Sequence, residues 1–196
     1  MVQPSLEKIE KLRQALEDYE SGAAGGQLID AEAEEAKASV RSRALRLLDQ
    51  RARSREELRE RLLAAEFEPD VIDAVLDDLA GVGLINDESF AREWVRQRHV
   101  RRGKSARALN MELKDKGVDA ADRAVALEQI TEESEEATAR KVAEKKARTL
   151  KKVPADRHER DKFLRRIVGT LARRGYSHSL TMRISICLLY TSPSPR

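Results

Sequence analysis

Apolar residues recur along the chain at the three- and four-residue spacing of amphipathic helices, and the pattern itself repeats. A pair of aliphatic residues four positions apart occurs three times, as Leu58/Leu62, Leu109/Leu113 and Ile167/Leu171. The copies are offset by 51 and then 58 residues, and a bulky apolar residue follows each pair at Phe67, Val118 and Tyr176. Gly117 and Gly175 precede two of these residues, where a left-handed residue ends a helix. The pattern predicts a repeat protein.

Each copy predicts three short helices. Ser54 and Glu57 form a capping-box pattern at the start of a second helix, and Pro69 suits the first turn of a third. Asn86 or Asp87 is expected to cap the next copy. A helix of about a dozen residues is marginal alone, so each unit must bury its apolar stripe against its own helices. We therefore expect an all-α fold in which tandem three-helix repeats form an elongated, curved array.

The predicted boundaries follow the repeats. We assign residues 29–86, 87–135 and 136–185 to repeats 1, 2 and 3. Residues 1–28 are interpreted as a variable N-terminal helix followed by a Gly/Ala linker. Residues 186–196 end in a segment with two prolines that cannot continue a helix, and they are interpreted as a non-native tail.

Composition and motifs limit the classes of protein to which this chain can belong. Charged residues make up 37% of the chain and aromatic residues only 4%, so an aliphatic core spread along the array is expected. The single Cys187 excludes an internal disulfide and favours a reducing compartment. No secretory signal and no apolar run of about 20 residues is visible, so we expect a cytoplasmic protein without membrane contact. His99, His158 and His178 lack metal-ligand spacing, and phosphate-binding loops are absent. We therefore expect a non-enzyme without metal or cofactor.

The charge is sorted along the chain. Residues 66–88 hold eight acids and no Lys or Arg, whereas residues 92–107 hold seven bases and one acid. Residues 140–174 hold fourteen bases and four acids. This asymmetry favours a polyanionic partner, although solvated helix faces explain it equally well. The candidate partner-binding residues are Arg92, Arg96, Arg98, Arg101, Arg102, Lys104 and Arg107 in repeat 2, and Lys145, Lys146, Arg148, Arg165, Arg166, Arg173 and Arg174 in repeat 3.

Arg98 differs from the other candidates because the 51-residue offset places it in the core-facing position of Leu47. Its stem must lie on apolar surface while its guanidinium reaches an acid or the edge of the core. Two interpretations remain open: an ion pair that braces the repeats, or an arginine at the mouth of a basic surface. Trp94, the only tryptophan, is expected to be core, and His99 is expected to point away from the apolar face.

Several motifs resemble those of the RecX family. They are the stretch Ser54-Arg-Glu-Glu-Leu58, the run from Gly83 to Ala91, Lys116-Gly117-Val118 and Arg174-Gly175-Tyr176. Each motif is weak alone, but their order and spacing are specific, and the resemblance covers about residues 38–185. No catalytic residue is implied.

The resemblance implies a monomer that binds the RecA nucleoprotein filament through a broad basic face. Such proteins restrain ATP hydrolysis, strand exchange and repressor self-cleavage by RecA, and so damp the SOS response. The alternative is a stand-alone module that contacts single- or double-stranded DNA directly. The sequence leaves both open because a filament and DNA both present negative charge.

Overall fold

The computed structural model describes residues 31–149 and 156–191. Within these ranges the chain forms nine α-helices and no strand, which confirms the all-α repeat fold. The helices are α1 Ala31–Gln50, α2 Arg55–Leu63, α3 Pro69–Gly81, α4 Asp87–Arg102, α5 Ala106–Asp115, α6 Ala120–Leu127, α7 Glu132–Arg148, α8 Arg157–Ala172 and α9 His178–Thr191. Consecutive triplets form three units, which we number 1 to 3. The predicted N-terminal helix and linker lie outside the described residues.

Each unit has its own aliphatic core, and the extensive helix packing occurs within units. The three repeated aliphatic pairs lie at the centre of these cores, and all six side chains are fully buried. Val118 and Tyr176 are also buried, and Phe67 packs against the first core. Three small cores in one register confirm the predicted repeat and explain how a chain with few aromatic residues folds.

Local capping residues define where the helices begin. The Ser54 hydroxyl accepts the amide hydrogen of Glu57, and Asn86 rather than Asp87 caps α4 by accepting from Ser89. Pro69 occupies the first turn of α3, as predicted. These side chains satisfy amides that have no partner inside the helix. The helix starts are therefore set by local interactions between residues three positions apart.

The end of α9 includes part of the segment interpreted as a non-native tail. The helix continues to Thr191, and Leu188 is buried in the core of unit 3. Leu189 packs against the same core. The first residues of that segment therefore take part in packing, and residues 192–196 lie outside the described residues.

Two equivalent junctions join the units. At the first, the Ser54 hydroxyl donates to the carbonyl of Lys116 over 2.6 Å. At the second, the amide of Ser105 donates to the carbonyl of Arg174 over 3.0 Å. Ser105 follows Ser54 by 51 residues and Arg174 follows Lys116 by 58, so the same repeat positions meet at both junctions. The residue after each carbonyl is the left-handed glycine, Gly117 or Gly175.

Glu57 carries the charge at the first junction. Its buried carboxylate accepts hydrogen bonds from Arg51, from Arg53 over 2.7 Å and from Lys116 of unit 2 over 3.0 Å. Its capping-box role is therefore only partial, because the carboxylate faces these cations. Burial alone would raise the pKa of Glu57, but hydrogen bonds from Arg51 and Lys116 outweigh burial and lower it to about 2.

We expect stability to fall in acid because of Glu57. Its folded pKa lies below the ordinary value of 4.5, so its contribution is complete above pH 4.5 and is lost as pH falls toward 2. The full contribution is about 3 kcal/mol at most. Urea unfolding between pH 6 and 2.5 would measure the loss, and Glu57→Gln should flatten the slope over this range. An equally steep slope in the variant would contradict this assignment.

The glycine at the second junction gives a further prediction. A Cβ on Gly175 would meet the Ser105 hydroxyl at 2.5 Å and the Ala108 Cβ at 2.7 Å, whereas a Cβ on Gly83 would meet nothing within 4 Å. Both glycines have positive φ, so alanine costs about 1–2 kcal/mol at either position. We expect Gly175→Ala to destabilise more than Gly83→Ala in urea unfolding. Equal losses of unfolding free energy in the two variants would show that the second junction accommodates the added methyl group without further destabilisation.

Candidate partner-binding surface

The C-terminal end of α4 lies between the two junctions. Arg101 and Arg102 line a groove between units 1 and 2 and also a cavity between units 2 and 3. Gly103 ends the helix in a left-handed conformation. Burial, together with the nearby charges of Arg98, Arg102 and Arg174, lowers the pKa of Lys104. Positive charge is therefore concentrated at this point of the array.

The cavity between units 2 and 3 has a volume of about 450 Å³, and none of the described residues in its wall is acidic. Three threonines line it, together with six cations: Arg101, Arg102, Lys141, Lys145, Lys146 and Arg174. A neighbouring depression of about 370 Å³ on unit 3 is lined by five cations: Lys146, Lys162, Arg165, Arg166 and Arg173. Lys146 belongs to both, so the two predicted basic stretches meet in one continuous face. We call these ten residues the basic surface.

The charges of the basic surface are not neutralised internally. None of the ten side chains forms an ion pair with a carboxylate within 31–149 and 156–191. Arg174 instead donates to the backbone carbonyl of Arg102 across the junction. Unpaired cations attract a polyanion more strongly than paired ones, because no carboxylate of the described residues has to be displaced first.

Six of the predicted residues lie elsewhere, and five of these form ion pairs. The pairs are Arg92 with Glu88, Arg96 with Glu93, Arg98 and Lys104 with Glu112, and Arg148 with Glu144. Arg107 lines a separate depression beside Tyr176. The other eight candidates belong to the basic surface. Sequence reasoning missed Lys141 and Lys162, although each lies four residues before another basic-surface member on the same helix.

Arg98 pairs with an acid of its own unit, so the ion pair does not brace neighbouring repeats as the first interpretation had it, and its role in partner binding stays a prediction. Its guanidinium carbon lies 3.4 Å from the centre of the Trp94 ring, and its Nε is 3.8 Å from a carboxylate oxygen of Glu112. The side chain is 22% exposed and lines the groove between units 1 and 2. Burial and the neighbouring Arg102 and Arg51 lower its pKa. Arg98 is therefore a partly buried cation that lies over Trp94 and lines the groove.

Trp94 and His99 differ from expectation. Trp94 is only partly buried, because its ring reaches from the unit 2 core into the groove, where Nε1 donates to Glu112 over 3.0 Å. His99 was expected to be exposed but is buried. Its ring contacts the carbonyl of Lys104 at 2.9 Å and the Thr138 hydroxyl of unit 3 at 3.1 Å. The third unit covers a face of α4 that looks solvent-facing within one repeat.

Metal-binding clusters and membrane spans were also considered for 31–149 and 156–191. These residues contain no group of three or more His, Cys, Asp or Glu side chains arranged to hold a metal ion. In the same ranges, no helix combines the length and the hydropathy required to cross a bilayer.

The chain matches three consecutive domains of one protein family. Residues 41–79 match the first three-helix domain of RecX, residues 86–127 the second and residues 133–184 the third. A regulatory protein RecX from Corynebacterium efficiens is 61% identical over 182 residues, covering 91% of this chain and 86% of that protein. One from Streptomyces coelicolor is 43% identical over 145 residues, covering 74% of each chain.

Solved structures agree on the fold. The crystal structure of RecX from Lactobacillus salivarius superposes with a TM-score of 0.66 at 24% identity, covering 80% of this chain and 98% of that one. A second crystal structure, of a regulatory protein RecX, gives a TM-score of 0.67 over 77% of this chain and 73% of that one. Since the domain matches follow the three units in order and the relatives extend across their junctions, the chain belongs to the RecX family of regulatory proteins.

Proposed function

We propose that this chain binds the RecA nucleoprotein filament and restrains its ATP hydrolysis, strand exchange and stimulation of repressor self-cleavage. Through these activities it damps the SOS response and modulates recombination and DNA repair. The observation that carries the proposal is the continuous basic surface, free of acidic residues, on a chain of a regulatory family. In this proposal the protein acts as a monomer in the cytoplasm and has no catalytic role.

Electrostatics supports this choice of partner. A filament of protein on DNA is a long polyanion, and the ten cations of the basic surface span two units of the array. Exposed cations that are already paired add little to such an encounter, whereas unpaired cations steer it and contact the partner directly. A tandem array matches a filament because successive units reach successive parts of the polymer.

The test is RecA turnover in the presence of the chain. Adding it to RecA, DNA and ATP should lower phosphate release in a concentration-dependent way, and the chain alone should release none. Filament binding is followed in parallel by anisotropy of labelled DNA, so that occupancy is known. Unchanged RecA turnover at saturating occupancy would reject the regulatory proposal.

A second candidate is a module that binds nucleic acid by itself. It is favoured by the lack of any acid in the cavity between units 2 and 3, where threonine hydroxyls accompany the cations, a combination that suits phosphates. Titration against naked single-stranded DNA and against RecA-coated DNA at equal salt discriminates between the two. Tighter binding to the coated DNA favours the filament regulator, and equal or tighter binding to naked DNA favours the module.

A further inference from the structure

The groove between units 1 and 2 differs in chemistry from the basic surface. It encloses about 580 Å³ between the C-terminal end of α1, the loop before α4 and one face of α4. Its walls include Leu48, Leu84, Phe90 and Trp94 in addition to arginines. Leu84 is 54% exposed, and an aliphatic side chain left in water favours cover by an apolar group. The groove therefore combines aromatic and leucine side chains with cations, and it shares Arg101 and Arg102 with the basic surface.

The arginines of the groove differ in whether their guanidinium groups donate hydrogen bonds to residues of the chain. Arg51 and Arg53 donate hydrogen bonds to Glu57. By contrast, the Arg98 guanidinium donates no hydrogen bond to any residue within 31–149 and 156–191, and its nearest carboxylate, on Glu112, is already engaged by Trp94 and Lys104. A partly buried guanidinium has five N–H donors arranged for a carboxylate. Arg98 is therefore poised for a carboxylate from another molecule.

The one acid in the groove wall does not compete for Arg98. Glu93 accepts two hydrogen bonds of 2.7 Å from Arg96 and a further bond from Gln97. The side chains of Arg101 and Arg102 at the rim form no ion pair within the described part of the chain. The groove therefore presents uncompensated positive charge around an apolar floor.

The Trp94 ring argues against a nucleic-acid base as occupant. The Arg98 guanidinium carbon lies 3.4 Å from the ring centre and the Lys116 ammonium 4.5 Å from it. Both cations lie over the ring, and the Arg98 guanidinium covers the centre of one face. A base needs a free aromatic face to stack on. Leu84 and Arg98 line the same groove as Trp94, so an apolar surface and guanidinium donors are available there.

We propose that this groove binds a peptide segment of a protein partner in which an apolar side chain is flanked by carboxylates. The apolar side chain lies on Leu84 and the Trp94 edge, and one carboxylate forms a bidentate pair with Arg98. Further carboxylates reach Arg101 and Arg102 at the rim. The proposal goes beyond the proposed function, because it gives units 1 and 2 a peptide-recognition role at a groove that shares two of its cations, Arg101 and Arg102, with the basic surface.

The test uses the full chain and a defined probe. The probe is a labelled peptide with a central leucine and phenylalanine flanked by three glutamates on each side, and its control has glutamines instead. Trp94 is the only tryptophan, so its fluorescence reports from the groove itself, while anisotropy gives the affinity. We expect the glutamate peptide to bind at least tenfold more tightly than the glutamine peptide. Equal affinities would overturn the proposal.

Single substitutions test whether the peptide binds in the groove. Leu84→Glu changes an exposed position and should weaken peptide binding at least tenfold. Arg98→Leu should weaken it by a similar factor and should fold, because leucine is the native residue at the equivalent position, Leu47. Val125→Glu introduces the same charge on α6 at an exposed residue that lines neither the groove nor the cavity between units 2 and 3. It should change affinity less than twofold. The proposal fails if Leu84→Glu and Val125→Glu have the same effect.

The last part of the test is competition with an oligothymidine that has the same net charge as the glutamate peptide. If it displaces the peptide and loses affinity on Leu84→Glu, the groove is a nucleic-acid site and the peptide proposal is overturned. Continued peptide binding while oligothymidine is bound elsewhere supports the proposal. Because this assay contains no filament, its failure is separate from failure of RecA regulation.

Discussion

Replacing Leu58 or Leu113 by alanine is expected to lower the free energy of unfolding by about 2–5 kcal/mol. Both side chains are fully buried, each at the centre of a different unit core. Alanine removes apolar contacts and leaves a cavity that the small three-helix unit fills only in part. Because the extensive packing lies within units, hydrogen exchange should increase most in the unit that carries the substitution.

Urea unfolding measures these losses, and Met111→Ala provides the control. Met111 lies on the same helix as Leu113 but is 54% exposed, so its replacement should change stability by about 0.5 kcal/mol or less. A change below roughly 0.5 kcal/mol at both buried leucines would contradict the repeat register that places them in equivalent positions.

Reversing three charges of the basic surface should weaken filament binding on the order of a hundredfold at low salt. The variant Arg101→Glu, Lys145→Glu, Arg165→Glu removes cations from both cavities of that surface. Folding should survive, because exposed unpaired charges contribute little to stability. If the side chains meet phosphates, the slope of log affinity against log salt should decrease by about one unit for each neutralised contact.

A matched control separates contact from net charge. Arg92, Arg96 and Arg148 are exposed and paired with glutamates outside the basic surface. Reversing these three changes the net charge by the same amount, yet affinity should decrease much less. If both triple variants bind equally weakly, only overall charge matters. If the first triple variant binds as tightly as the parent across the salt series, the basic surface is solvated and makes no contact.

The fold was largely predictable because its determinants are local. The spacing of Leu58 and Leu62, the cap at Ser54 and the left-handed Gly117 each act within about one helical turn, so they can be identified without knowing what packs against them. The repeat offset then carried the same assignments to units 2 and 3. It also placed Arg98 in the core-facing position of Leu47, and the structure shows Arg98 only partly buried there.

The candidate partner-binding surface was predictable only in part. Stretches rich in basic residues indicated where positive charge accumulates, but an ion pair depends on which acid lies within reach. Glu112 faces Arg98 and Lys104 because α5 packs beside α4. Spacing along single helices could have added Lys141 and Lys162, which follow the four-residue pattern of their neighbours.

The sequence by itself determined the helices, their caps, the three-fold repetition and the sign of the charge on each stretch, since these depend on neighbours a few residues away. Only the tertiary structure decided which charges stay unpaired, that His99 is buried under the third unit, and that Trp94 reaches from its core into a groove. The burial of His99 depends on how one unit sits against the next, whereas the pairing of Arg98 and Lys104 depends on how helices pack within one unit. Burial, pairing and pKa follow from that assembled environment.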